Sequence, residues 1–206
     1  MNPGVEILAT QVLSDDWYTL RKVTFRHRGP DGTWSVQSRE AYDRGNGAAL
    51  LLYNTNDDTV VLTRQFRLPT YLNGNPDGML VEVCAGLLDG ESPEAAIRRE
   101  AQEETGFSVL DPVPVFQAYM SPGSVTERLH FFAAPYQIED RTGAGGGTGE
   151  EEQIDVLELT AAEAWAQVAD GRIQDGKTLL LLQHAALAGW ITGPRVPVPK
   201  AETGSI

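Results

Sequence analysis

Gly86-Leu-Leu-Asp-Gly-Glu91-Ser-Pro-Glu-Ala-Ala-Ile-Arg-Arg99-Glu100-Ala-Gln-Glu103-Glu104-Thr-Gly106-Phe107 is the stretch from which the rest of the sequence can be read. Ser92 suits a helix N-cap, Pro93 the first helical position and Gly106 a left-handed stop. The spacing therefore predicts a helix over 92–105, bounded at both ends by local chemistry. Glu100, Glu103 and Glu104 stand at i, i+3 and i+4, so they share one face. Like charges so placed repel by a few tenths of a kcal/mol per pair, about 0.2–0.5. Arg99 lies on a neighbouring face and can pair with only part of the cluster. A solvated acidic face accepts such spacing. A hard divalent cation requires it, because oxygen ligands on a rigid element turn the repulsion into coordination. The surroundings favour the cation: an apolar strand and the turn Ala85-Gly86 lead into the helix, and Glu91 can pair with Arg99 across the loop.

These residues resemble the signature of the Nudix hydrolases, Gly-x5-Glu-x7-Arg-Glu-apolar-x-Glu-Glu-x-Gly-apolar. Glu91, Arg99, Glu100, Ala101, Glu103, Glu104, Gly106 and Phe107 match it. Four residues, not five, separate Gly86 from Glu91, so the loop is one residue short. Further segments resemble the bacterial GDP-mannose hydrolase branch, which lies near the ADP-ribose pyrophosphatases and shares the short loop. They are Tyr42-Asp-Arg-Gly-Asn-Gly, Leu52-Tyr-Asn-Thr, Arg64-Gln-Phe-Arg67, Cys84-Ala-Gly-Leu-Leu-Asp89, Tyr119-Met-Ser-Pro-Gly and Asp175-Gly-Lys-Thr.

The resemblance implies Mg²⁺, two or more ions, with Mn²⁺ as a substitute. The ligands would be the Ala85 carbonyl and the side chains of Glu100 and Glu104, with Glu103 and Glu152 as further ligands. Glu103, Glu104 and Glu152 are the candidate catalytic acids, Glu152 as ligand or general base. The implied substrate contacts are Trp17, Arg39, Glu40, Arg67, Gly86, Glu127, Glu151 and Lys177. Trp17 stands where relatives carry Tyr, and either ring can stack on a base. Ser38 stands where Lys is expected. In this branch the N-terminal hairpin is exchanged across a homodimer, so the site would be shared between subunits. The implied reaction is hydrolysis of a nucleotide sugar, GDP-mannose to GMP and mannose 1-phosphate. ADP-ribose is the enzyme alternative and a non-catalytic nucleotide-sugar sensor the alternative of another class. The three intact acids argue against a sensor.

Outward from the signature, 17–28 and 34–43 read as strands joined by the turn Gly29-Pro30-Asp31-Gly32. Residues 48–53, 59–67, 80–85, 113–120, 127–136 and 154–159 read as further strands, and 160–169 and 177–189 as helices. The expected class is α/β (α+β): a Nudix fold, a mixed sheet sandwiched between helices, with an N-terminal antiparallel β-hairpin extension. The expected divisions are 1–43 for dimerisation and substrate recognition, 44–192 for the Nudix domain, and 193–206 as a fraying tail. Residues 143–149 are nearly all glycine and run into Glu150-Glu151-Glu152. Such a segment can close over a metal-bound substrate, and equally suits a solvated loop.

The 206 residues carry 29 acids against 16 Lys and Arg, a net charge of −13. That balance argues against nucleic-acid or anionic-membrane partners. The single cysteine, Cys84, has apolar neighbours and reads as a buried inert thiol. Neither a secretory leader nor a membrane-spanning run is apparent, so a cytoplasmic protein is expected. The charge is localised: 91–104 carry a net −3 and 139–163 a net −7. A pyrophosphate is repelled by both segments unless cations bridge it to the carboxylates.

Overall fold

The computed structural model describes residues 4–148 and 153–194. Its first element is one that sequence patterning misses. Strand β1 (Val5–Asp15) pairs antiparallel with β2 (Thr19–Arg28), which pairs with β3 (Trp34–Asp43). The expected hairpin is thus a three-stranded sheet. Its turn lies where the Gly29–Gly32 motif places it, with Gly29 N–H donating to the Thr33 carbonyl at 2.8 Å. Trp17 falls in the bend before β2, not within the strand.

The second sheet runs β10-β5-β4-β9-β8 and is mixed, since β4 (Gly47–Asn54) and β9 (Arg128–Pro135) are parallel. The remaining strands are β5 (Thr59–Phe66), β6 (Met79–Glu82), β7 (Cys84–Leu87), β8 (Val113–Tyr119) and β10 (Ile154–Thr160). Every residue of β4 is buried because both faces are covered. Ala49, Leu51 and Tyr53 pack towards α3 (Ala161–Ala169) and α4 (Gly176–Leu187). Ala48, Leu50 and Leu52 pack towards Ile97 and Ala101 of the signature helix. The sheet is therefore sandwiched between helices, as expected.

Two departures from the sequence expectation shape the site. The strand read over 80–85 is broken at Val83. Near its end β4 pairs with the start of β5 (Leu52↔Val61), and the two strands then diverge. β6 fills the fork against β5 and β7 fills it against β4. At the crossing, Val83 N–H donates to Thr178 Oγ1 on α4 at 2.8 Å. The signature helix is also not uniform. It is α-helical over α2 (Pro93–Glu100), capped by Ser92 Oγ on Ala95 N–H, and becomes π-helical over Ala101–Thr105. The buried Thr105 hydroxyl donates to the Ala101 carbonyl, competing with the backbone ladder there. A short helix α1 (Leu68–Leu72), also not foreseen, follows β5.

Candidate active site

The fork between β4 and β5 sets Cys84–Leu87 directly beneath the acidic helix. Gly86 lies against Glu100 so closely that a Cβ at Gly86 would overlap the Glu100 carboxyl group. Only glycine leaves the carboxylate room beside the strand. One turn on, Glu104 Oε2 accepts from Ala85 N–H at 3.2 Å. The π turn is wider than an α turn. Within it Glu104 turns inward and Glu103 outward: Glu104 is 7 % exposed, whereas the Glu103 side chain is 29 % exposed. Glu103 pairs with Arg99 at 2.9 Å, and Arg99 also reaches Glu100 at 3.0 Å and Glu91 at 3.5 Å. The Glu91–Arg99 pair and the partial pairing of Arg99 with the cluster match the sequence expectation.

Burial is the largest influence on Glu104. It pushes the carboxyl up to about 7, aided by the nearby charge of Glu100. The Cys84 thiol, the Ala85 N–H and the charge of Arg67 oppose it. Burial likewise raises the thiol of Cys84, with Glu104 adding to the effect, so an inert thiol is what the structure holds. Folding thus raises the Glu104 pKa from 4.5 to about 7, and the native state binds its proton more tightly than the unfolded chain. Stability from this group is present below pH 4.5 and is lost as pH rises through 7. The full effect is about 3 kcal/mol. In EDTA, Glu104→Gln should therefore gain stability relative to the unsubstituted protein between pH 5 and pH 8. Parallel unfolding curves at the two pH values would contradict this.

Two neighbouring, mostly buried acids repel each other, and a divalent cation relieves that repulsion. Glu100 and Glu104 both lie along β7, beside the Ala85–Gly86 backbone, so the donors are hard oxygens. Among the described residues no three acidic, histidine or cysteine side chains converge as a complete cage. Two carboxylates do meet the β7 backbone there.

The cationic side of the site is built on a residue that sequence reading passes over. Glu82, buried at the end of β6, accepts from Arg67 Nε at 2.6 Å and also pairs with Lys177. Lys177 pairs in turn with Asp175 at 2.9 Å. Asp175 caps α4 by accepting from Thr178 N–H at 2.9 Å. Arg67 lies just past β5, at the N-cap of α1. Glu127 is mostly buried beside Arg44, 3.4 Å away. It approaches β7 through the space that Gly47 leaves beside the Gly86 carbonyl. Gly86, Glu100, Glu104, Arg67, Lys177 and Glu127 thus gather around β6 and β7.

Trp17, Arg39 and Glu40 do not join them within one chain. They lie on the N-terminal sheet, with Trp17 80 % exposed and Arg39 bonded to its neighbours Ser38 and Gln37. The bonds that tie this sheet to the rest lie at the end of β3, where Tyr42 N–H donates to Ser124 O at 2.8 Å and Thr126 N–H to Tyr42 O at 3.0 Å. Glu151 and Glu152 lie outside the described residues, as does most of the 193–206 tail. The described part of the glycine-rich segment is held to the end of the signature helix. Gly146 and Gly147 N–H donate to the Glu104 and Glu103 carbonyls at 2.9 and 3.0 Å. Gly106, at φ +78°, makes the left-handed stop and packs against the Gly143 backbone.

Comparison with known proteins agrees with this geometry. The NUDIX domain model matches residues 43–182, and the model described as "GDP-mannose pyrophosphatase NudK N-terminal domain" matches 4–42. The chain is 56% identical over 190 residues to a GDP-mannose pyrophosphatase of Pectobacterium atrosepticum, covering 92% of this chain and 98% of that one. It is 54% identical to one from Yersinia enterocolitica, with 92% and 98% covered. It is 49% identical to one from Klebsiella pneumoniae, with 94% and 97% covered. A crystal structure of an ADP compounds hydrolase shares the fold at TM-score 0.66 and 22% identity, over 90% of this chain and 95% of that one. With a Nudix domain spanning most of its length, and the acidic helix seated on β7, the chain belongs to the Nudix family.

Proposed function

We propose that this protein hydrolyses the pyrophosphate bond of GDP-mannose, releasing GMP and mannose 1-phosphate. The observation that carries it is the meeting, around β6 and β7, of two carboxylates beside Gly86 with two cations gathered on Glu82. The names of relatives that are 49% to 56% identical over nearly the whole chain support the substrate.

Nudix hydrolases generally use divalent metal ions. Mg²⁺ suits this donor set, since it is commonly held by one or two carboxylates and the substrate's own phosphates. Bound there, it supplies charge neutralisation and an acidified water. Glu100, Glu104 and the Ala85 carbonyl would hold it, with Glu103 and Glu152 as further ligands. Arg67 and Lys177 meet the pyrophosphate oxygens, and Glu127 and Glu151 contact the rest of the substrate. Glu152, beyond the glycine-rich segment, is the proposed base that takes the proton of the attacking water. A cytoplasmic location accompanies a nucleotide-sugar substrate. No helix among the described residues is long and apolar enough to cross a membrane.

We further infer a homodimer. Residues 1–43 form the dimerisation region, and 44–192 the hydrolase domain. Strand β1 is exposed along its whole length, including Val5, Ile7, Leu8, Val12 and Leu13. A small sheet is not stable with its apolar side chains in water. A second copy covering it would bring Trp17, Arg39 and Glu40 to the neighbouring site.

The test is incubation with a panel of nucleotide sugars and ADP-ribose, with Mg²⁺ or with EDTA, and identification of the products. GMP and mannose 1-phosphate should form only with Mg²⁺, and GDP-mannose should be consumed fastest. Faster cleavage of ADP-ribose would replace the substrate. Binding without any product would favour a sensor.

A further inference from the structure

We propose that Glu82 is a positioning residue, a buried carboxylate that holds the Arg67 guanidinium and the Lys177 ammonium side by side, facing the pyrophosphate. The proposal rests on the function given above and deepens it.

Glu82 has no freedom to sit elsewhere. Its carbonyl accepts from Thr63 Oγ1 at 3.2 Å, and the next N–H, of Val83, donates to Thr178 Oγ1 at 2.8 Å. The backbone is thus fixed on both sides by side chains from β5 and α4. Val81 and Val83 pack in the core beneath α3 and α4, whereas Cys84 packs beneath the signature helix. Strand alternation places Glu82 with Cys84, on the side of the acids. The Glu82 side chain is 3 % exposed. A carboxylate so buried is tolerated only when paired, and it has two partners, Arg67 on one oxygen and Lys177 on the other.

The donor arithmetic leaves the cations available to a substrate. A guanidinium carries five N–H donors in a fixed fork. Arg67 gives its Nε–H to Glu82, and no other partner of its guanidinium is found among the described residues. Among the described residues, both Nη groups are left for bidentate contact with phosphate. An ammonium has three donors. Lys177 gives them to Glu82 and Asp175, which leaves one. Two free cations at this spacing would repel each other and sample many rotamers. Glu82 cancels the repulsion and fixes the direction of the donors, so less order is lost when the pyrophosphate binds. Three residues after Glu82, the Ala85 N–H donates to Glu104, so the Glu82 cluster and the carboxylate side belong to one site.

The test compares Glu82→Gln, which keeps the shape but removes the charge, with Glu82→Asp, which keeps the charge but draws it back. KM and kcat for GDP-mannose are measured with Mg²⁺, GDP binding by calorimetry, and folding by thermal unfolding. Glu82→Gln should raise KM and the Kd for GDP about tenfold or more, as loss of an orienting partner does. The fall in kcat should be smaller, and Glu82→Asp should be intermediate. In an Arg67→Ala background, where Glu82 keeps Lys177 as its partner, Glu82→Gln should raise the Kd for GDP by a smaller factor than it does alone, because one of its targets is gone.

The proposal is overturned if folded Glu82→Gln keeps both constants within twofold. It is equally overturned if its effect persists in full in the Arg67→Ala background. Should Glu82→Gln not fold, a folded Glu82→Asp with unchanged KM and Kd overturns it. GDP binding by the unsubstituted protein without turnover of any nucleotide sugar would end the hydrolase function, and the shift in GDP affinity would still test Glu82. Turnover that ignores Glu82 would end this proposal alone.

Discussion

Glu104→Gln should abolish turnover while leaving the fold intact, and Glu100→Gln should do nearly the same. Both substitutions are isosteric and remove only a negative charge. In Glu104 that charge is buried beside Glu100 and against the Ala85 N–H. A protein does not maintain such an arrangement for stability, since burying the charge costs free energy that Gln does not cost. The expected compensation is a divalent cation shared with the pyrophosphate. Loss of one preorganised electrostatic contact commonly lowers kcat by about 10²–10³-fold. Loss of a direct metal ligand should reach or exceed that. Steady-state kinetics over a range of Mg²⁺ concentrations separates the two contributions. A variant that recovers at high Mg²⁺ has lost affinity for the ion, and one that does not has lost transition-state stabilisation. If both variants run near the unsubstituted rate, the metal assignment is wrong. Glu103→Gln should cost less, because Glu103 is turned towards Arg99 and lies on the more exposed side of the helix.

How much of this was legible from sequence depends on how local the cause is. The signature helix announces itself because its caps, Ser92 and Gly106, act within one turn. Glu100 and Glu104 follow from helical spacing alone. Strand β1 hides because its apolar residues come in doublets, Ile7-Leu8 and Val12-Leu13, which break period-two alternation. The register shifts at those two places, between Ile7 and Ala9 and between Val12 and Ser14. A bulge absorbs a residue that the pattern cannot foresee. The break at Val83 has its cause in Thr178, 95 residues away. The π turn coincides with one side-chain bond, from the Thr105 hydroxyl to the Ala101 carbonyl, which no spacing in the sequence announces. Glu82 was read as part of an apolar strand. A lone acid there has no spacing signature, and only its burial between two cations reveals a role. Arg67 stands out as a cation in a strand near the signature, able to hold phosphate bidentately, whereas Lys177 is implied by the resemblance alone; 110 positions of sequence separate what Glu82 holds together.

Mixing two inactive variants should restore activity if the site is shared between subunits. Trp17→Ala combined with Arg39→Ala removes the proposed stacking platform and a cation from the N-terminal sheet. A base-stacking aromatic is worth about 1–3 kcal/mol, and the charged contact adds to it, so the pair should lower kcat/KM about a hundredfold. Glu104→Gln removes activity from the hydrolase domain. Within a homodimer of either variant every site is damaged. In a heterodimer, one site draws an intact Glu104 from the first chain and an intact Trp17 and Arg39 from the second, and the other site carries all the substitutions. Random re-pairing of equal amounts should return about a quarter of the sites to full activity, as the two-fold symmetry of a dimer dictates. Sites complete within one chain give no recovery at any mixing ratio. Re-pairing is verified by mass spectrometry of the intact dimers, so absent recovery with heterodimers present rejects the shared site. A monomer by light scattering at micromolar concentration rejects it more directly. The structure makes the outcome consequential: Trp17 is 80 % exposed, and among the described residues Arg39 bonds to Ser38 and Gln37 of its own strand. In one chain these side chains contact none of the acids on the signature helix.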